Sequence, residues 1–509
     1  MPYLDYSTTM PSTHVVLPTI CLSACQPLVG LPTDRLPNDQ GRGDHHVVVG
    51  DGSRHGDRPG GEPSPGDSQP SDPMPGDRLP GDTSPGDTYT PRCGNGTIDT
   101  GEVCDDGNTN DGDTCDSTCA YGVIEVAKSM ASDGEEYDRF GAAVSISGDL
   151  LVVGAPAEDQ GGDRSGAAYL YERNQGGNDR WGEVTKLVRT NPNSYDNFGD
   201  SVAVSGDIVL VGASGAWGSE EYTGAAFVFD GSAAWDEVKR LWGSDAEESA
   251  GFGNAVSFNA DIAVVGASTK GDGWPETELA EGGAYVFYRS SDTWPEVKRL
   301  DSPEPQEWGY FGRSVAVSAA TLAVGSSQRA VWLYGQNQGG NDNWGQLAKV
   351  TPLAGEVDDR FGASVALDGD TLVIGAWGEQ NNVGAAYVLY RDHPTTDAWG
   401  QVKRLTASVG DVDDYFGGNV AIDGSFVLVT AGGDDDMAED AGAVYLFERN
   451  QGGPDNWGLW AKFVTSDSRG WYFLSSVAIS GKTVAVGNQL ARNEVYEDVG
   501  AVYVFEIVP

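Results

Sequence analysis

The chain has 509 residues, with 77 Asp and Glu against 31 Lys and Arg, a formal charge of −46 and a pI near 4.1. So acidic a balance argues against nucleic acid or an anionic membrane as partner, and suits cationic partners, divalent metal ions or solubility in salty surroundings. No run reaches the ~20 apolar residues of a membrane-spanning helix, so the expectation is a protein that is soluble or tethered by other means.

The N-terminus suggests a tether. "VVLPTICLSACQP" is a short apolar run ending in Leu22-Ser23-Ala24-Cys25. It resembles the bacterial lipobox, which is cut before a cysteine that is then diacylated. That resemblance implies a lipoprotein signal peptide at 1–24, lipidation of Cys25, and a place on a bacterial cell surface, unless the protein is secreted free. The preceding "MPYLDYSTTMPSTH" has no Lys or Arg, unlike the basic start of an export signal, which a mis-assigned start codon would explain. The competing reading is an ordinary terminus with two chance cysteines.

Residues 25–92 turn to Pro, Gly, Asp and Ser, with "SPGD", "MPGD", "LPGD" and "SPGD" ending at Asp67, Asp77, Asp82 and Asp87. Such a segment buries too little apolar surface to offset its chain entropy and reads as a disordered, extended linker. Its Arg42-Gly43-Asp44 looks like a cell-attachment tripeptide but reads as chance in so biased a composition.

Residues 93–119 hold Cys93, Cys104, Cys115 and Cys119. Four cysteines at this density read as two disulfides in an oxidising compartment, with three pairings open. The phrase "CDDGNTNDGDTC" resembles the cysteine-rich repeat of myxobacterial surface proteins. Zinc is the competing reading, but no CxxC pair is present. Asp105, Asp106, Asn108, Asn110, Asp111 and Asp113 cluster oxygens around glycines and are candidate Ca²⁺ ligands, although the glycine falls one position late for an EF-hand.

From 121 to 509 the chain repeats itself about every 55 residues. Phe140-Gly141, Phe198-Gly199, Phe252-Gly253, Phe311-Gly312, Phe361-Gly362 and Phe416-Gly417 mark six copies, and a degraded seventh starts at Phe473-Leu474. Each copy carries four β-patterned runs, here called A to D, as in "AAVSIS", "DLLVVGA", "GAAYLYE" and "EVTKLV". The A–B connection is a tight turn throughout. Seven such units predict an all-β, seven-bladed propeller of four-stranded blades. The last copy lacks its D run, while "GVIEVAKS" ahead of the first matches one, so the N-terminal strand is expected to close the ring. Trp181, Trp235, Trp294, Trp344, Trp399 and Trp457 each precede a D run by three residues; packing between blades is favoured for them over stacking on sugars.

"FG", "VGAP" and "GAAYLY" together resemble the FG-GAP repeat of integrin α chains and bacterial surface proteins. The resemblance implies a binding propeller, often with a DxDxDG calcium loop in the A–B hairpin. Here that hairpin is cut to Ser147-Gly148-Asp149 or its equivalent, too short for the 6–8 oxygens Ca²⁺ prefers. Acidic residues gather instead in the D–A and B–C loops, which share one face of the ring. Asp434, Asp435, Asp436, Glu439 and Asp440 form the richest group and the candidate Ca²⁺ ligands there, against the plain alternative of a solvated loop.

The functional expectation is a monomeric adhesion module that recognises an extracellular protein or glycan through its acidic face, with Ca²⁺ as the one cofactor considered. A lectin is the alternative. An enzyme is disfavoured: the propeller has no cysteine, His393 is its one histidine, and no nucleophile elbow, P-loop or zinc motif occurs. A carboxylate-only hydrolase stays open.

Overall fold

The computed structural model describes Gly94 and residues 122–508, apart from 178–179, 218–221, 246–248, 271–280, 291–292, 306–308, 328, 342, 353–358, 396–397, 436–441, 467–473 and 493–497. The expected signal peptide, Cys25, the linker with its Arg-Gly-Asp, the four cysteines and the calcium candidates from Asp105 to Asp113 lie outside the described residues, as does Phe473.

The described chain forms seven four-stranded antiparallel sheets, each in the spatial order A-B-C-D. Blade one is typical, with strands Ala143–Ser147, Leu150–Ala155, Ala167–Arg173 and Trp181–Leu187. Its middle strands, "LLVVGA" and "AAYLYER", are apolar on both sides because a blade lies against each face. Its outer strand is half-buried and mixed. The other blades span 198–241, 252–301, 314–350, 365–405 and 416–463, and the seventh spans 476–508 plus Gly122–Ser129.

The N-terminal strand does close the ring. Gly122–Ser129 pairs antiparallel with the last strand, Ala501–Val508, from Gly122 opposite Val508 to Ser129 opposite Val502. Glu125 of the closing strand accepts hydrogen bonds from Ser466 N–H (3.0 Å) and Oγ (2.7 Å), just past the outer strand of blade six. The same clasp links Ser132 to Glu183 and Ser244 to Glu296.

Every outer strand skips one residue in its pairing: Val126, Val184, Val238, Val297, Leu347, Val402 or Trp460. A bulge at this place spoils the exposed edge as a template for another strand. In blades one, four and five the outer strand reaches back to Trp181, Trp344 and Trp399, so these tryptophans open the strand instead of preceding it by three residues. Their packing role holds. Trp344 Nε1 donates to Tyr288 Oη at 3.0 Å and Trp457 Nε1 to Tyr390 Oη at 2.8 Å, each across a blade junction.

The two glycines of the repeat meet at those junctions. A Cβ on Gly154 would lie 2.1 Å from the carbonyl oxygen of Gly199 in the next blade, and Gly212 would meet Gly253 in the same way at 2.0 Å. Backbone therefore packs on backbone, which only glycine permits. Beside each contact a phenylalanine fills the wedge between blades; Phe140 is fully buried with Tyr169 of its own blade and Val502 of the last. At the junction of blades six and seven both glycines are replaced, by Thr430 and Leu474, and both replacements are buried.

Candidate binding face

All seven A–B hairpins are two-residue turns, from Ser147 opposite Leu150 to Ser480 opposite Thr483. Their backbone is already used. The N–H of Gly148 donates to Ser480 Oγ, that of Gly369 to Ser318 Oγ and that of Gly424 to Asp368 Oδ2, each on the preceding blade. Two residues cannot supply a cage of 6–8 oxygens, so a calcium loop of the DxDxDG kind does not fit here.

The opposite face carries the longer D–A and B–C loops, and the pattern Asp-x-Phe-Gly organises it. Asp138, Asp196, Asp359 and Asp414, two positions before the repeat phenylalanine, are buried although they sit in the acidic loops. The side chains of three of them accept the backbone N–H three residues earlier: Glu135 to Asp138, Asn193 to Asp196 and Asp411 to Asp414, each at 2.7 Å. Their carbonyls hold the neighbouring B–C loop, since Ala157, Gly215 and Gly433 donate to Asp138, Asp196 and Asp414. Burial raises the Asp138 carboxyl to about 6, helped by nearby Glu158, Asp159 and Glu135 and opposed by the Glu135 N–H.

A second device runs round the ring. Each C strand places an aromatic directly opposite a cation of the D strand: Tyr169 and Lys186, Phe227 and Arg240, Tyr285 and Arg299, Trp332 and Lys349, Tyr387 and Arg404, Tyr445 and Lys462, Tyr503 and Lys128. Loop carboxylates dock onto several of these pairs. In blade one Asp133 accepts from Tyr169 Oη and Lys186 Nζ, both at 2.7 Å, and Glu158 from Lys186 at 2.9 Å. Burial alone would raise the Asp133 carboxyl, but Lys186, Tyr169 and Gln160 bring it below its ordinary value. In blade five Glu379 takes Tyr387 Oη and, at 3.0 Å, Arg404 Nε; burial and this carboxylate push the Tyr387 phenol up to about 12.

Asp434 of the expected calcium group belongs to this second device. It is 2% exposed, its Oδ1 accepts from Lys462 Nζ at 2.7 Å and its Oδ2 from Tyr445 Oη. Both oxygens therefore serve the blade. Asp435 beside it is exposed, and Asp436, Glu439 and Asp440 lie outside the described residues. Among the described residues no group of three or more His, Cys, Asp or Glu side chains is placed to hold a metal ion.

At the axis, the inner strands line an open pocket of about 190 Å³ walled by Asp200, Asn254, Arg313, Asn419 and Ser475, among others. These polar groups tie down loops. Asp200 accepts from Ser214 Oγ, Asn254 Oδ1 from the N–H of Ser268 and Ser475 Oγ from the N–H of Gln489, the latter two at 3.0 and 3.2 Å. Burial raises the Asp200 carboxyl to about 6, opposed by Ser214, Arg164 and Arg139. His393 lies between strands Ala385–Arg391 and Trp399–Leu405, on the hairpin side.

What the loop face presents outward is aromatic as well as acidic. Tyr137, Tyr195, Trp217 and Tyr222 are all exposed, beside exposed Glu135, Glu136, Asp159 and Asp163. Counting acidic residues by loop missed both the inward turn of the Asp-x-Phe-Gly carboxylates and these rings. The spacing Asp-x-Phe-Gly, present in four copies, was the available signal for the first. Nothing in the sequence separates an exposed tyrosine from a packed one.

Among protein-family models, one described as FG-GAP repeat matches residues 123–171, 181–229, 235–287, 344–389, 399–447 and 457–505. Each match runs from the outer strand of one blade to the third strand of the next, so the sequence unit straddles two blades. The unmatched unit is the one ending in blade four, where a B–C connection of three residues carries Arg329 in place of the glycine found at Gly166, Gly224 and Gly282. The structure builds that blade all the same. The unit containing the degraded Phe473-Leu474 is matched. A search of curated proteins finds no match.

Proposed function

The chain belongs to the FG-GAP repeat family, and from that premise we propose that it is a non-catalytic binding module whose D–A and B–C loops engage a protein. One observation carries this reading. The loops of that face are pinned from beneath by Asp138, Asp196 and Asp414 and by carboxylates on the aromatic–cation pairs, while aromatic rings and other carboxylates point to solvent. Preorganised loops that present tyrosine and tryptophan lose little freedom on binding. The opposite face carries the two-residue A–B turns and the C–D connections, and the exposed Tyr137, Tyr195, Trp217 and Tyr222 all lie in D–A and B–C loops.

Display on a bacterial surface through a diacylated Cys25, with residues 26–92 as a stalk, fits the sequence. Replacing Cys25 with Ser and following membrane association tests the anchor. Any calcium contribution would come from Asp435 to Asp440 or from the cysteine-rich module, and melting the protein in calcium and in a chelator tests that.

The binding reading is tested by probing arrays of matrix proteins and of glycans with the intact chain. Binding to a protein that is abolished by loop-face substitutions and untouched by hairpin substitutions supports it. Binding that free sugars compete away makes the protein a lectin instead. Turnover of an arrayed glycan would make it a hydrolase.

A further inference from the structure

We propose that the partner docks off the axis, on the loop-face rim of blades one and two, and that it is a protein with an apolar centre ringed by basic residues. This rests on the binding reading above and assigns it a place and a chemistry.

Of the ten exposed large hydrophobic side chains among the described residues, eight fall between Val126 and Trp242. Among the described residues, the exposed Tyr137, Tyr195, Trp217 and Tyr222 lie in the loops of the first two blades, with Val188 and Trp242 just past the outer strands of the same blades, while Val126 of the closing strand, Val409 and Val412 lie on other blades. Scattered exposed side chains are ordinary, but a sector rich in Tyr and Trp has the composition of a protein interface core.

The rings are held in place. Tyr137, Tyr195 and Tyr222 have φ of 73°, 66° and 56°, a left-handed conformation that aromatic residues avoid and that persists only when the surroundings impose it. Those surroundings are visible. Tyr137 N–H donates to the Asp498 carbonyl at 3.2 Å, Tyr195 N–H to that of Asp163 at 2.7 Å, and the Tyr222 carbonyl accepts from Ser249 at 3.1 Å. Each bond comes from another loop, so the backbone is clamped while the ring stays outside. Trp217 and Tyr222 pack edge to face with centroids 6.3 Å apart, and Tyr195 Oη is fixed on Asp163 at 2.5 Å.

Charge decides the occupant. Exposed Glu135, Glu136, Asp159 and Asp163 interleave with the rings, on a chain of formal charge −46. The cations of the same loops, Arg139 and Arg164, act on Asp200 at the axis. An acidic or merely apolar partner would be repelled or unselected, whereas a basic one is steered in and its cations can rest on ring faces.

The test is selection of a random peptide library displayed on phage against the immobilised intact protein. The expected peptides combine Lys or Arg with aromatic or branched apolar residues. Their affinity should fall about tenfold or more in Tyr195→Ala and in Trp217→Ala, be largely kept in Trp217→Phe, and weaken steeply with salt. Because these rings are exposed, the variants should melt with the parent, which separates lost contact from lost fold. Peptides without a basic bias, or peptides insensitive to these substitutions, overturn the proposal. If such peptides instead respond to Tyr415→Ala in blade six, the loop face still binds protein and only the sector is wrong. Recovery of no sector-dependent peptide, with sugar-competed binding on a glycan array, overturns this proposal and the protein-binding reading together.

Discussion

Gly487, in the second strand of the last blade, lies against the start of the first blade's inner strand: a Cβ on it would sit 2.1 Å from the carbonyl oxygen of Gly141. The ring thus closes through the same backbone contact that joins its internal blades. Replacing Gly487 by Ala should destabilise the protein by roughly 3 kcal/mol or more, at or above the upper end of what overpacking a core with a backbone shift costs. Gly148→Ala, in a hairpin with nothing within 4 Å and φ of +59°, should cost about 1 kcal/mol of left-handed strain. Denaturant titration of both variants distinguishes the two costs.

The closing strand makes a second prediction. A chain beginning at Asp133 lacks Gly122–Ser129 and leaves the edge of Ala501–Val508 unpaired. It should melt roughly 10 °C or more below a chain beginning at Tyr121. Glu125→Ala, which keeps the strand and releases Ser466, should cost about 0.5–1.5 kcal/mol. Equal melting of the two truncations would show that the pairing adds nothing to the ring.

Lys462 and Asp434 are 8% and 1% exposed at their side chains and 2.7 Å apart. Lys462→Met leaves a buried carboxylate without its cation and should cost roughly 3–5 kcal/mol. Adding Asp434→Asn to that variant should recover a good part of the loss. Both changes should be the same size in calcium and in chelator, as measured by thermal melting. A calcium-dependent difference would give Asp434 a ligand's role after all.

Asp200 makes stability depend on pH. Burial raises its carboxyl from 3.8 to about 6 in the folded protein, so the folded state binds this proton more readily than the unfolded one. The resulting stabilisation is complete below about pH 4 and lost as pH rises through about 6. Asp133, whose carboxyl is lowered overall, works in the opposite sense, with stability lost as pH falls. Asp200→Asn should therefore be more stable than the parent by about 2 kcal/mol at pH 8 and indistinguishable from it at pH 4. Asn is already tolerated at the matching place in the next blade, where Asn254 accepts the Ser268 N–H. Denaturation curves across that pH range check the sign.

Much of the fold could be read along the chain because a repeat writes its packing many times over. Paired "FG" and "VGA" phrases, two-residue turns and an orphan D-like run before Phe140 were enough to expect seven blades and their closure. The site was less legible. Asp138 and Asp414 look in the sequence like the exposed acids beside them, Glu135, Glu136 and Asp413. Their direction depends on which backbone N–H lies three residues back once the loop has turned. Asp434 headed an acidic run that suited a cation, yet its cation is Lys462, 28 residues further on.

The sequence by itself determined the strands, their number and the glycines that let blades touch, because those follow from local alternation, turn chemistry and the absence of a side chain. Only the tertiary structure decided which carboxylates face inward, which rings stay in solvent, and that the two glycines of the repeat meet each other across neighbouring blades. Those outcomes are set once the loops have turned and neighbouring blades have met, as where the Asp163 carbonyl of one blade takes the Tyr195 N–H at the start of the next and clamps its backbone while the ring stays exposed.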